Sequence, residues 1–527
     1  MKLVDLYPSL GSFRRGEPVQ LIFELTAEEP GQASIHLSIT HLAEPAAEFD
    51  IPISVRPGSQ EISFDWQPSE DSPRGFGASA YLARLPTERG ETMWTAFDVL
   101  DNWTDYPRYG FLCDFGPDRK DIEQVLDKLL KYHINGLQFY DWQYRHDQLF
   151  PSQPEYSDPL GRPSSLGTIE AFIEAAHQRH MAAMPYLAIY AASKDFAQGH
   201  ASWALYDEKG SPYFFEDFLG LMDPSAGSPW SLHLLDQCRQ ITEKLRFDGF
   251  HVDQYGEPRS GFTSSGSSVN LPDAFMSFVN ALKAKHPDEA VTFNAVKNWP
   301  IESLARASLD FLYIELWPST PSYRDVVRVI SEARSKSGGK PVVIAVYLPA
   351  DRPNNIRLAD ALILSSGATR IELGENERLL ADAYFPKHEA VGDDLRRTLR
   401  AYCDFAVRYG ELIGPRAEDL ASLEPILPDG IWSVSRRTDR RIAINLVNMR
   451  GPGDAGWGEQ HPSPDPLKEF MVRVPLREGI RQVHYASPDG SDPSMIPASW
   501  RSDGQSVEIE IPQLEFWSLI LIETISG

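Results

Sequence analysis

The chain has 527 residues, with 50 Lys and Arg against 75 Asp and Glu, for a formal net charge of −25. That balance speaks against nucleic acid and anionic lipid as partners, since both are bound through basic surface, and it leaves a neutral or cationic ligand open. The composition is that of a globular protein, and the length calls for about three domains rather than one core.

The N-terminal sequence lacks the apolar run of a signal peptide, and no stretch is apolar for long enough to span a bilayer. The expectation is a soluble cytoplasmic protein, or a secreted one if a leader has been removed. Cys113, Cys238 and Cys403 are too few for a disulfide framework and lack metal-ligand spacing. Twelve Trp and twenty Tyr supply flat rings of the kind that cover the apolar faces of sugars, although most such rings fill cores.

The first hundred residues alternate in the manner of strands: Val19, Leu21, Phe23 and Leu25; Ile35, Leu37 and Ile39; Ile62, Phe64 and Trp66. Turn clusters at 28–31, 56–59 and Ser72-Pro73-Arg74-Gly75 separate them, which predicts an immunoglobulin-like β-sandwich over residues 1–103. Gly75-Phe76-Gly77-Ala78-Ser79-Ala80 resembles a dinucleotide fingerprint only in its glycines, because no helix or acidic partner follows it. No cofactor is expected.

From Trp103 the pattern changes to strands alternating with amphipathic helices. Strands are predicted near 110–114, 136–142, 181–190, 249–253, 291–296, 311–317, 341–348 and 369–373. Helices are predicted near 122–130, with Asp118 as N-cap, then 168–179, 229–245, 272–285, 301–307, 323–335, 356–364 and 393–409. Residues 191–228 read as a long loop. Eight such units predict a central (β/α)8 barrel over residues 104–415, with an open doubly wound sheet as the alternative. Alternation returns in Ile442, Ile444 and Leu446 and in Val507, Ile509 and Ile511, around a Gly- and Pro-rich loop at 451–466. This predicts a C-terminal antiparallel β-sandwich over residues 416–527.

Two strands stand out. In Phe247-Asp248-Gly249-Phe250-His251-Val252-Asp253, Phe250 and Val252 share one face while His251 and Asp253 share the other. In Phe311-Leu312-Tyr313-Ile314-Glu315-Leu316-Trp317-Pro318, Leu312, Ile314 and Leu316 oppose Tyr313, Glu315 and Trp317. The apolar face meets helices, and the other face ends in a carboxylate at the C-terminal mouth, where such barrels keep their sites. Two facing carboxylates suit cleavage of a glycosidic bond. Other polar residues at strand ends are candidates for substrate contact: Asp114, Tyr140, Asp141, Trp142, His146, Tyr190, Gln254, Asn294, Trp317 and Glu375. His251, one layer below Asp253, reads as a support for it. No metal site is expected, since neither His-Glu-x-x-His nor a Cys/His cluster is present.

Phe139-Tyr140-Asp141-Trp142-Gln143-Tyr144-Arg145-His146, Asp248-Gly249-Phe250-His251-Val252-Asp253-Gln254-Tyr255-Gly256, Phe293-Asn294-Ala295-Val296 and Tyr313-Ile314-Glu315-Leu316-Trp317 resemble the motifs of glycoside hydrolase family 66. The family contains endo-dextranases and cyclodextran-forming glucanotransferases. The resemblance implies Asp253 as nucleophile and Glu315 as acid/base of a retaining mechanism on α-1,6-glucan. The flanking β domains match the family layout. Cyclodextran-forming members carry an inserted carbohydrate-binding module in the second half of the barrel, for which about twenty residues between strands seven and eight leave no room. Hydrolysis of dextran or isomaltooligosaccharides is therefore the leading expectation, with imported short oligosaccharides as its narrower form. Transglycosylation on the same scaffold, hydrolysis of another α-glucoside, or a catalytically silent α-glucan-binding protein are the alternatives.

Overall fold

The computed structural model describes residues 1–68, 75–85, 88–317 and 320–525. Most of the expected turn at 72–75 lies outside them, as does Pro318. The chain is multidomain and rich in strands, and a curled ten-strand sheet stands at its centre.

Eight parallel strands of that sheet follow one another in chain order: β1 (Tyr109–Leu112), β2 (Gly136–Phe139), β3 (Ala182–Ala188), β4 (Gly249–Asp253), β5 (Ala290–Val296), β6 (Leu312–Glu315), β7 (Val342–Ala345) and β8 (Ala368–Arg370). Nearly every residue in them is buried, as expected of parallel strands covered on both faces. The two faces belong to different apolar clusters. Tyr109, Phe111, Met184, Phe311, Tyr313, Val343 and Ala345 pack inside the curl. Leu112, Leu137, Phe139, Phe250, Val252, Phe293 and Ile314 pack outward against the helices. Period-two alternation thus separates an inner stack from an outer shell.

After β8 the chain changes neighbour. The Ile371 N–H still donates to Ile344 O of β7 at 3.0 Å, whereas Leu373–Gly374 pairs in parallel with β1 through Phe111. The strand expected at 369–373 is therefore broken between two partners. Gly249 is required by close approach, since a Cβ there would lie 2.0 Å from Ala290 O and 2.7 Å from Met184 Sδ.

The first helix, Ile122–Leu130, is preceded by Asp121, which replaces Asp118 as the cap residue. The Asp121 carboxylate accepts from Arg119 Nε at 2.8 Å instead of capping the helix. Residues 191–228 are more ordered than a loop. They hold a helix at Lys194–Gly199 and a small antiparallel sheet of Ala191–Ser193, Phe214–Phe215 and Leu219–Leu221.

At the N-terminal side a three-stranded and a six-stranded sheet enclose a cluster that includes Leu21, Phe23, Ile35, Leu37 and Phe97. Gly77 marks where this region meets the central one, because a Cβ there would sit 2.3 Å from the Arg408 guanidinium. Gly75 and Gly77 both pack against the helix Asp393–Arg408. At the C-terminal side a second pair of sheets encloses Ile442, Ile444, Val507 and Ile509. Its outer face docks on the same helix through Trp517, 4.8 Å from Phe405 between ring centroids.

Candidate active site

The C-terminal ends of β2 to β7 open into a cleft of about 800 Å³. Asp253 and Glu315 lie on its floor, contributed by β4 and β6 as the alternation requires, with β5 between them. From β5, Asn294 Nδ2 donates to Asp253 Oδ1 at 2.8 Å and to Glu315 Oε2 at 2.9 Å, so 5.7 Å, the sum of the two, is an upper bound on the separation of those oxygens. The backbone N–H of Gln254 also donates to Asp253 Oδ1 at 2.8 Å. The second oxygen of Glu315 accepts from Tyr347 OH at 2.7 Å.

Glu315 is buried and Asp253 partly so, and among the described residues neither forms a salt bridge. Burial is the largest influence on Asp253, and the charge of Glu315 adds to it, pushing the Asp253 carboxyl up to about 7 against the opposing bonds from Gln254, Tyr186 and Asn294. Burial likewise raises Glu315, while Tyr347, Asn294, Trp317 and the charge of Lys297 work the other way. Two such carboxyls titrate as a pair, and burial raises the proton affinity of both.

The walls bring together several of the expected residues. Tyr140 stacks on Phe385, with centroids 4.3 Å apart and planes 8° apart. Asp141 is buried, left-handed at φ 51°, and 3.8 Å from Arg162; burial outweighs that cation and pushes its carboxyl up to about 7. His146 is pushed down to about 4 by burial, so its ring is neutral, and its Nδ1 meets no hydrogen-bond partner among the described residues. Asn294 Oδ1 likewise has no hydrogen-bond partner among the described residues. Trp317 lines the cleft beside Glu315. Gln254 lines it too, but its amide is occupied: Nε2 donates to Asn294 O and Trp299 O, and Oε1 accepts from the Gly256 N–H.

Four expected contacts lie elsewhere. Trp142 is fully buried, with Nε1 donating to Tyr186 O and the ring against Phe247, because the left-handed Asp141 turns the chain away from the cleft. Tyr190 stacks on Phe275, and its hydroxyl accepts from the Tyr255 N–H at 2.8 Å. Glu375 accepts from the N–H groups of Cys113 and Asp114 and from Arg119, tying the end of β1 to the segment beyond β8. Asp114 accepts from the Gly116 N–H in a turn. His251 lines the bottom of the cleft, in contact with Tyr109 and Tyr313.

Other cleft residues were not anticipated: Tyr347, Tyr186, Tyr255, Phe215, Tyr384 and Lys297. Tyr347 and Tyr186 continue the inward alternation of Val343 and Ala345 and of Met184, which is a signal present in the sequence. Phe215 stacks on Tyr255 at 4.3 Å from a segment with no such periodic signal.

A family model described as glycosyl hydrolase family 66 matches residues 11–521. A cycloisomaltooligosaccharide glucanotransferase of Niallia circulans is 24% identical over 88% of this chain and 66% of its own length. A dextranase of Streptococcus salivarius is 23% identical over 81% of this chain and 64% of its own length, so the chain spans just under two thirds of these relatives. Among solved structures, a Paenibacillus cycloisomaltooligosaccharide glucanotransferase complexed with cycloisomaltoheptaose superposes with a TM-score of 0.91 at 22% identity, covering 99% of both chains. A maltogenic alpha-amylase of Thermotoga neapolitana superposes with a TM-score of 0.55 at 14% identity, over 80% of this chain and 99% of its own.

Proposed function

The chain belongs to glycosyl hydrolase family 66, and from that premise we propose that it cleaves the α-1,6-glucosidic linkages of dextran or isomaltooligosaccharides with retention of configuration. The curled sheet is read as a (β/α)8 barrel whose eighth strand is split between β7 and β1. Residues 1–103 and 416–527 form flanking β-sandwiches. Asp253 is the nucleophile and Glu315 the acid/base.

One observation carries this reading: a single side-chain amide donates to both carboxylates, bounding the bridged oxygens at 5.7 Å. Carboxyls about 5–5.5 Å apart suit a double displacement, whereas inversion leaves about 6.5–9.5 Å for a water. Asp253 attacks the anomeric carbon as Glu315 protonates the departing oxygen, forming a glycosyl-enzyme. Glu315, now a base, takes a proton from water, which releases the sugar and restores both carboxyls. Burial of Glu315 favours its protonated form, which is the form a general acid needs. Tyr140, Asp141, His146, Asn294 and Trp317 surround the sugar, and Gln254 fixes the turn beneath it.

A second reading, transfer to a sugar hydroxyl in place of water, is favoured by the glucanotransferases among the relatives. The test is incubation with dextran, isomaltotetraose, pullulan and starch, followed by chromatography and NMR of the first anomer formed. The expected result is α-anomeric products from the first two substrates, no longer than the substrate. Products that are longer or cyclic select transfer. A β-anomer formed first rejects retention, and no turnover of either α-1,6 substrate rejects the reading as a whole.

A further inference from the structure

The rim of the cleft next to Glu315 holds a cation with no carboxylate partner among the described residues: Lys297. Lys387, elsewhere on the cleft wall, differs in lying 3.6 Å from Asp382. Lys297 follows β5 directly, and both it and Asn298 are left-handed, at φ 56° and 59°, a region that side-chain-bearing residues seldom adopt. The turn is pinned by the Asn298 N–H to Ala295 O at 2.9 Å and the Trp299 N–H to Val296 O at 3.1 Å. The Lys297 N–H donates to the carbonyl of Glu315 itself at 2.9 Å. Its backbone is thereby registered on that residue. Its ammonium lies 5.8 Å from the ring centroid of Trp317, two residues beyond Glu315. A chain of net charge −25 thus keeps one uncompensated cation at the mouth of this carboxyl, on a backbone that takes an uncommon conformation to present it.

The groups facing Glu315 are Asp253 from β4, Asn294 from β5, Tyr313 from its own strand, Tyr347 from β7, and Trp317 and Lys297 at the rim. Asp253, when ionised, favours retention of the Glu315 proton, and Lys297 opposes it. Resting on the reading of Glu315 as acid/base, we propose that Lys297 is a positioning residue for proton transfer: its ammonium sets the pH at which Glu315 releases its proton and so lets one carboxyl serve first as acid and then as base. A carboxyl held too firmly protonated is a poor donor to the leaving oxygen, and the best catalytic group titrates near the working pH. The charge of Lys297 does act to lower the proton affinity of Glu315. Lys297 stands at the exposed rim, so its influence is screened by salt.

The experiment is the pH dependence of kcat/KM on isomaltotetraose at low and high salt for wild type, Lys297→Met and Lys297→Arg, with folding checked by circular dichroism. In Lys297→Met at low salt the alkaline limb moves up by about half a pH unit. In Lys297→Arg it stays in place. Added salt moves the wild-type limb toward that of the Met variant and leaves the variant nearly unchanged. Coincident alkaline limbs for wild type and Lys297→Met at low salt overturn the assignment. Glu315→Gln, assayed on an aryl α-isomaltoside whose leaving group needs no proton, separates the two levels: loss of the alkaline limb identifies it as that of Glu315, and its persistence rejects the acid/base reading itself.

Discussion

Two pairs of carboxyls lie on or against the same curled sheet, and they are bridged differently. Asp253 and Glu315 share the amide Nδ2 of Asn294, at 2.8 and 2.9 Å. Asp360, on the helix Pro353–Ser365, and Glu372, just after β8, share the guanidinium Nη1 of Arg370, at 2.9 and 2.6 Å. Burial raises the proton affinity in both places, taking Glu372 up to about 8 and lifting Asp360 as well. A guanidinium compensates negative charge permanently, whereas a neutral amide orients two carboxyls without compensating either. The amide-bridged pair therefore has no cation at its bridging position. It also opens onto the large cleft, while the Arg-bridged pair is enclosed by Tyr402, Cys403 and Leu399. Closeness of two acids is therefore a poor marker of chemistry in this fold; the bridging group and the open face distinguish the two pairs.

The largest test of the contrast is removal of the acids of the open pair. Asp253→Ala and Glu315→Gln should each lose turnover on isomaltotetraose, by about 10²–10⁴-fold for the general acid, with an unchanged circular dichroism spectrum. Near-normal rates in either variant would equate the two pairs. Arg370→Met should do the reverse, lowering stability to denaturant by about 3–5 kcal/mol, because two buried carboxyls lose their cation, while turnover per folded molecule is kept. Third, the open pair should govern the pH profile. In the proposed roles Asp253 attacks in its ionised form, and burial raises both carboxyls, so the acid limb of kcat/KM should lie above the ordinary carboxylate range around 4. An acid limb near pH 4 would contradict this.

The smallest effect concerns stability. A carboxyl whose folded value is raised from 3.8 to about 7 costs the fold nothing while both states are protonated, below pH 3.8. It costs progressively more up to pH 7, and the full amount above. Asp253→Asn should therefore melt about 1–2 °C above wild type at pH 8 for each kcal/mol relieved, and that gain should vanish at pH 4. An equal gain at both pH values would assign it to packing rather than charge.

The candidate site was legible as far as alternation extends. Asp253, Asn294 and Glu315 lie inside β4, β5 and β6, where every second residue faces inward. The same count through Val343 and Ala345 reaches Tyr347, whose hydroxyl proves to hold Glu315. It failed where strands end. β2 stops at Phe139, and the left-handed Asp141 then sends Trp142 into the outer core. β3 stops at Ala188, and Tyr190 turns to Phe275. β8 breaks after Arg370, and Glu375 becomes a fastener for β1. Phe215, which stacks on Tyr255 at the cleft, arrives from a segment whose folding depends on the sheet beneath it.

By itself the sequence determined the order of strands and helices, the inward and outward faces of each strand, and the presence of two acids at strand ends, because these follow from a two-residue period and local apolar patterning. Only the tertiary structure decided that one amide joins those two acids, that a guanidinium joins another pair, and that Lys297 stands by Glu315. Those relations depend on the register between strands and on turns that leave the extended conformation, and no local period encodes either.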